Sequence, residues 1–250
     1  MSFYNYPELY DMFFTDKQHE KIKDFYRYVF EDKNIKTILD VSIGTANLTL
    51  PLAELGYEIA GTDLNKNMLE KAKEKFADKN IDIDLRICNF KNISSQFDKK
   101  FDCVISTGNS LPHVKNKNLK KVLKEMKNLI KKDGYIYFDL RNWDRILEKK
   151  KRFYILDPII KENKRINYIQ VWDYNDDGSI IFNIIIYHEK DNEIYDKKIF
   201  QEKYYPVKAD FLVHNLEKLG FKNIKIINHI FPQIDDFEKM KWYCVIAQLS

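Results

Sequence analysis

At 250 residues, with 44% apolar and 14% aromatic composition, the chain is long enough for one sizeable hydrophobic core, with or without a single elaboration. Its net charge of +4 comes from Lys interleaved with Asp and Glu, as in EKAKEKFADK, a pattern of solvated helix faces that argues against a nucleic-acid groove. No run approaches the roughly 18 apolar residues of a membrane span, and the amino terminus lacks a signal-peptide pattern, so a cytoplasmic chain with no membrane partner is expected.

Residues 1–35 read as a helical cap, with a helix over 17–31. A strand at 37–41, a helix at about 47–55, a strand at 58–62, a helix at 65–77 and a strand at 82–88 follow. The alternation continues with a strand at 101–106, a helix at 117–131 and a strand at 135–140. Such alternation specifies a parallel sheet with helices on both faces. Residues 150–205 break it with three alternating strands, an antiparallel insertion. ADFLVHNLEKLGF, NIKII and WYCVIAQLS then supply a helix and two last strands, for seven strands in the main sheet. No linker rich in Pro, Gly or Ser divides the chain, so residues 1–250 read as one α/β, Rossmann-like domain.

Glycine placement supports this layout. Gly56, Gly134 and Gly220 each end a helical stretch before an apolar run, where a left-handed stop residue is wanted, and Gly178 reads as a hairpin turn. Gly44 and Gly108 instead follow strands. Cys88, Cys103 and Cys244 are odd in number, sit in apolar contexts and lack C-x-x-C spacing; they read as reduced core residues, and no metal is expected.

In open α/β sheets the ligand sits beyond the carboxyl ends of the strands. Those ends offer Asp40, Ser42, Gly44 and Ala46 in DVSIGTA, Asp63 in GTDLN, Asn89 and Phe90 in RICNF, Gly108 and Asn109 in STGNS, and Arg141 in DLRNW. A carboxylate ending the second strand can accept both hydroxyls of a ribose, or can cap the next helix. A pyrophosphate would need several bare backbone amides, whereas Ser42 and Ala46 stand where two glycines would be expected. A nucleoside carrying an amino-acid tail needs one close backbone approach, which Gly44 supplies. Arg141 is also distinctive, because only six of the 42 basic residues are Arg. A guanidinium ending a buried strand can capture a planar carboxylate, or can pair with Asp144 or Glu148.

Taken together, DVSIGTA, CNF, TGNSLPHV, RNWDRIL and YYP, in that order, resemble the class I S-adenosylmethionine-dependent methyltransferases, and within them the glycine and glycine/sarcosine N-methyltransferase group. The resemblance implies S-adenosylmethionine as cofactor and S-adenosylhomocysteine as product, with Gly44 beside the methionyl part, Asp63 on the ribose, and Asn89 and Phe90 at the adenine. It further implies that Asn109 and Arg141 contact a small acceptor, a carboxylate-bearing amine, and that the 150–205 insertion covers the acceptor site. Tyr10, Tyr204 and Tyr205 are candidate wall residues, since phenol oxygens can surround an electron-poor methyl while the rings exclude water. An oligomer is compatible with the sequence. Two other readings stay open: a methyltransferase acting on another small-molecule O or N acceptor, and a cofactor-binding protein without turnover.

Overall fold

The computed structural model describes residues 2–250; residue 1 of the expected 1–35 cap lies outside the described residues. The amino-terminal stretch opens with a 3-10 turn over Phe3–Asn5, a short helix α1 (Pro7–Asp11) and a longer helix α2 (Asp16–Phe30). α2 begins at a capping box, in which Thr15 accepts from the Gln18 amide and the Gln18 side chain accepts from the Thr15 amide. Its buried face, Ile22, Phe25, Tyr26, Val29 and Phe30, follows helical spacing.

β1 (Thr37–Asp40), α3 (Leu50–Glu54), β2 (Glu58–Asp63), α4 (Lys66–Asp78) and β3 (Asp84–Ile87) come next. They are followed by β4 (Phe101–Ser106), α5 (Asn116–Asn128), β5 (Ile130–Arg141) and α6 (Trp143–Lys149). An antiparallel sheet of β6 (Phe153–Ile155), β7 (Ile159–Lys161), β8 (Lys164–Tyr174), β9 (Ile180–Lys190) and β10 (Glu193–Tyr204) intervenes. α7 (Ala209–Lys218), β11 (Phe221–Asn228) and β12 (Trp242–Leu249) complete the chain.

The main sheet has seven strands in the order β11-β12-β5-β4-β1-β2-β3. β12 runs antiparallel to both its neighbours, and the other pairings are parallel. This is the mostly parallel class I architecture, with a separate antiparallel sheet after the fifth strand. Strand order reverses at β1, which lies between β4 and β2, so the loops after β1 and β4 diverge there and leave room for a ligand.

Alternation along each central strand divides the core in two. Leu39, Val104 and Phe138 pack with Leu119, Leu123 and Met126 of α5 and with Leu212 and Leu216 of α7. Their sequence neighbours Ile38, Cys103 and Tyr137 pack on the opposite face with Phe25, Val29 and Phe30 of α2 and with Leu69 and Phe76 of α4. All three cysteines are buried, and among the described residues none forms a disulfide. Among the described residues, no helix is long and apolar enough to cross a membrane.

Two features depart from the sequence reading. β6 and β7 are only three residues each, too short for any periodicity to show, and both pair with β8. Gly134 is not a left-handed stop residue: that conformation falls on Asp133, at φ 61°, while Gly56 and Gly220 do adopt it. Gly134 lies where β5 closes on β4 across an irregular register, and a Cβ there would stand 2.8 Å from the Asp102 carbonyl oxygen and 2.8 Å from a methyl of Ile130. A backbone atom cannot yield as a flexible side chain can. Gly134→Ala should therefore destabilise the chain by about 1–3 kcal/mol, the usual cost of forced overpacking. Urea denaturation followed by circular dichroism checks this, and an unchanged midpoint would contradict it.

Candidate active site

A cavity of about 340 Å³ opens at the carboxyl ends of β1, β2 and β4 and takes its walls from Ser42, Gly44, Asp63, Met68, Phe90 and Gly108. Its size falls within the roughly 300–1,000 Å³ of small-molecule sites. Ser2, Tyr4, Asn5 and Tyr10 of the amino-terminal stretch form its cover, and His113 and Glu202 close one side.

The floor is held by carboxylates. Asp40, fully buried, accepts from Ser42 N at 2.9 Å, Thr107 Oγ1 at 2.8 Å and Thr49 Oγ1 at 2.5 Å, tying the β1 loop to the start of α3 and to the β4 loop. Burial pushes its carboxyl up to about 6 despite these bonds. Asp63 bridges two turns: Oδ2 accepts from Gly44 N at 3.0 Å and Oδ1 from Asn65 N at 2.8 Å, while burial raises its pKa. Asp139, on β5, accepts from Gly108 N at 2.7 Å through Oδ1, leaving Oδ2 buried and, among the described residues, without a hydrogen-bond partner. Burial pushes it up to about 7.

Among the described residues, none of Asp40, Asp63, Asp139 or Glu202 has an ion-pair partner. Unpaired acids beneath and beside one cavity suit a ligand that brings positive charge, as a sulfonium and an ammonium would. The residues present therefore fit S-adenosylmethionine.

Ser42, Gly44, Asp63, Phe90, Gly108 and Tyr10 all face this cavity. Asp40 lies beneath it as the staple just described. Ala46, fully buried at φ 65°, supports the loop from behind, and Asn89 caps the 3-10 turn that begins at Phe90. Beside the cavity, β5, β12 and the antiparallel sheet build an aromatic chamber around Arg141. The Arg141 guanidinium lies 4.8 Å from the ring centroid of Trp242, 5.5 Å from Trp172 and 5.7 Å from Phe182. Among the described residues its side chain has no ion pair, with Asp144, Glu148 or any other acid.

Asn109, buried and left-handed at φ 59°, turns its side-chain oxygen inward to accept from Arg141 N at 3.1 Å and Trp143 Nε1 at 3.0 Å. Tyr204 is buried against His113 and Phe182, at centroid distances of 4.4 and 4.3 Å, and burial pushes its pKa up to about 12. Tyr205 lies apart from the cavity, anchored by its amide to the Pro112 carbonyl oxygen at 2.7 Å, with Lys203 over its ring.

Sequence reasoning did not single out Tyr4, Glu202 or the aromatic partners of Arg141. Tyr4 meets His113 and Tyr204, and Glu202 accepts from Ser2 Oγ and Phe3 N at 2.7 Å each, all across more than a hundred residues of chain. Only the TGNSLPHV match pointed toward His113. Away from this site, His19, Glu20 and Glu54 bring metal-ligand atoms together, but Glu54 already pairs with His19, Lys23 and Lys79 at 2.9, 2.7 and 2.9 Å.

The raised pKa of Asp139 carries a sign for stability. The unfolded carboxyl ionises near pH 4 and the folded one near 7, so the native state binds the extra proton between these values and loses stability as pH rises through that window. Asp139→Asn removes this term. Its stability relative to the native chain should rise by about 3 kcal/mol from pH 5 to pH 8. Urea melts at the two values test this, and a pH-independent difference would contradict it.

Comparison with known proteins finds similarity to methyltransferases. Residues 38–134 match a family model described as a methyltransferase domain. A glycine/sarcosine N-methyltransferase from Aphanothece halophytica is 26% identical over 206 residues, covering 80% of this chain and 72% of that protein. An S-adenosylmethionine-dependent methyltransferase from Clostridium acetobutylicum superposes with a TM-score of 0.78 at 20% identity, over 97% of both chains. S-adenosylmethionine-bound CalS10 from Micromonospora echinaspora, an amino pentose methyltransferase, superposes with a TM-score of 0.73 at 11% identity, over 94% of this chain and 91% of that one.

Proposed function

We propose that this S-adenosylmethionine-dependent methyltransferase acts on the nitrogen of a small amino acid such as glycine or sarcosine. The observation that carries this reading is Arg141: a guanidinium among three aromatic rings, with no carboxylate bound to it among the described residues. Aromatic faces hold the guanidinium plane while leaving its N–H fork free, and a planar carboxylate is the ligand that fork matches. The relative from Aphanothece halophytica, named for glycine and sarcosine, points the same way.

The bound cofactor would supply an electrophilic methyl on a sulfonium. The chain's own residues bind and orient. Asp63 has acceptor capacity left after its two backbone bonds, enough for ribose hydroxyls. Phe90 offers its ring to the adenine, and Gly44, at φ 55°, leaves the backbone bare where the methionyl part passes. Asn109 acts through Arg141, whose amide it holds. The antiparallel sheet covers the acceptor through Trp172, Phe182 and Tyr204, excluding water from the transfer.

In-line displacement needs a neutral amine held about 3–3.5 Å from the methyl carbon, so positioning supplies most of the rate. The acceptor ammonium must first lose a proton, and solvent can take it before the site closes.

A carboxylate clamp makes the enzyme discriminate. Arg141 is half-buried, and losing a hydrogen-bonded charged partner costs about 1.5–3 kcal/mol, roughly tenfold to a hundredfold in kcat/KM, so glycine should be preferred to methylamine by about that factor. Arg141→Lys keeps the charge and loses the fork; it should lower kcat/KM for glycine while leaving methylamine nearly unaffected. A radiolabelled methyl-transfer assay on both substrates and both proteins checks this. Equal losses on the two substrates would make Arg141 structural.

A further inference from the structure

Between the cofactor cavity and the Arg141 chamber runs a chain of three hydrogen-bonding side chains. Tyr204 OH lies 3.1 Å from Tyr4 OH, which lies 2.9 Å from Nε2 of His113. Tyr4 and His113 line the cavity, whereas Tyr204 packs at a tilt of 40° against Phe182, one of the rings around Arg141. The chain therefore spans the boundary that a methyl group must cross.

Its direction can be worked out from chemistry. Nε2 of His113 faces the Tyr4 hydroxyl, and a backbone hydrogen bond with Lys203 also engages the ring; a carbonyl can only accept, so the ring hydrogen is assigned to the nitrogen away from Tyr4. Burial pulls the His113 pKa down to about 4, which keeps the ring neutral and makes Nε2 an acceptor. Tyr4 must then donate its hydrogen bond to Nε2, and its oxygen is left to accept from Tyr204. Burial keeps the proton on Tyr204.

We infer that His113 is a positioning residue: by accepting a hydrogen bond from Tyr4 it polarises the Tyr204–Tyr4–His113 chain, so that the Tyr204 oxygen turns lone pairs, and no proton, toward the acceptor. The inference rests on the amine reading above. A phenol proton aimed at an amine would bond to the nitrogen lone pair that attacks the methyl. A phenol lone pair instead holds an amine N–H and leaves the nucleophilic pair free. Without the acceptor at Nε2, the hydroxyls of Tyr4 and Tyr204 can turn round.

The test compares kcat, KM for the acceptor and the S-adenosylhomocysteine dissociation constant in His113→Leu, His113→Gln and Tyr4→Phe, with thermal melts confirming the fold. The assay uses whichever acceptor the native enzyme methylates. His113→Leu should lower kcat about tenfold to a hundredfold, with KM and product affinity changed less than about threefold. His113→Gln, whose amide oxygen can accept from Tyr4, should recover most of that loss. Tyr4→Phe should lose as much as His113→Leu, and the double variant no more than either, because both break the same chain. Should His113→Leu fail to fold, Tyr4→Phe and His113→Gln carry the comparison alone. Equal loss in His113→Gln and Tyr4→Phe, additive losses in the double variant, or a fall in product affinity in place of kcat would overturn the inference. A native enzyme that ignores glycine and sarcosine contradicts the acceptor reading and leaves this comparison intact.

Discussion

The side-chain oxygen of Asn109 accepts from two donors at once, Arg141 N at 3.1 Å and Trp143 Nε1 at 3.0 Å, and the remaining site geometry hangs on that pair. Asn109 can reach both because it and Gly108 are left-handed, at φ 59° and 69°, a turn tight enough to bring the β4 loop over the end of β5. Asp139 holds the turn from below through the Gly108 amide. One loop thus carries the glycine that borders the cofactor cavity and the amide that fixes the origin of Arg141. On the proposed reading, a shift in it would move both substrates relative to each other, and in-line transfer tolerates little of that.

Charge is segregated to match. Among the described residues, Asp40, Asp63 and Asp139 lie under and beside the cavity without ion-pair partners, while the guanidinium of Arg141, also without an ion pair, lies in the neighbouring aromatic chamber. Buried carboxyls without cations are costly, as the upward pKa displacements of Asp40 and Asp139 record. A protein built for stability alone would pair them. The arrangement is intelligible if one ligand brings positive charge to the acids and another brings a carboxylate to Arg141. The hydroxyl chain from Tyr204 to His113 then lies between two ligands whose charges are answered separately.

Much of this was legible in the sequence because periodicity and strand ends are local signals. The β/α alternation from Thr37 to Arg141 follows from apolar spacing, and an open α/β sheet puts its binding loops after its strands. Gly44, Asp63, Phe90 and Gly108 were visible for that reason. What escaped depends on backbone angles or distant contacts. Ala46 could be read as a small replacement for a glycine, but its φ of 65° could not, so the sequence concealed a residue held in a conformation that glycine takes without strain. Asp139 looks like any polar residue in a strand, and only the fold shows it bonded to Gly108. Tyr4, His113, Glu202 and the rings around Arg141 come from separate elements, and no short-range pattern links them.

The most direct test of a two-chamber methyltransferase site is a crystal structure of the chain with S-adenosylhomocysteine and glycine or sarcosine. The expected result has the ribose hydroxyls on the Asp63 carboxylate, the adenine against Phe90, and the amino-acid carboxylate bound by both nitrogens of the Arg141 fork. A nucleoside seated elsewhere, or an acceptor carboxylate held away from Arg141 with the guanidinium paired to Asp144 or Glu148, would contradict it.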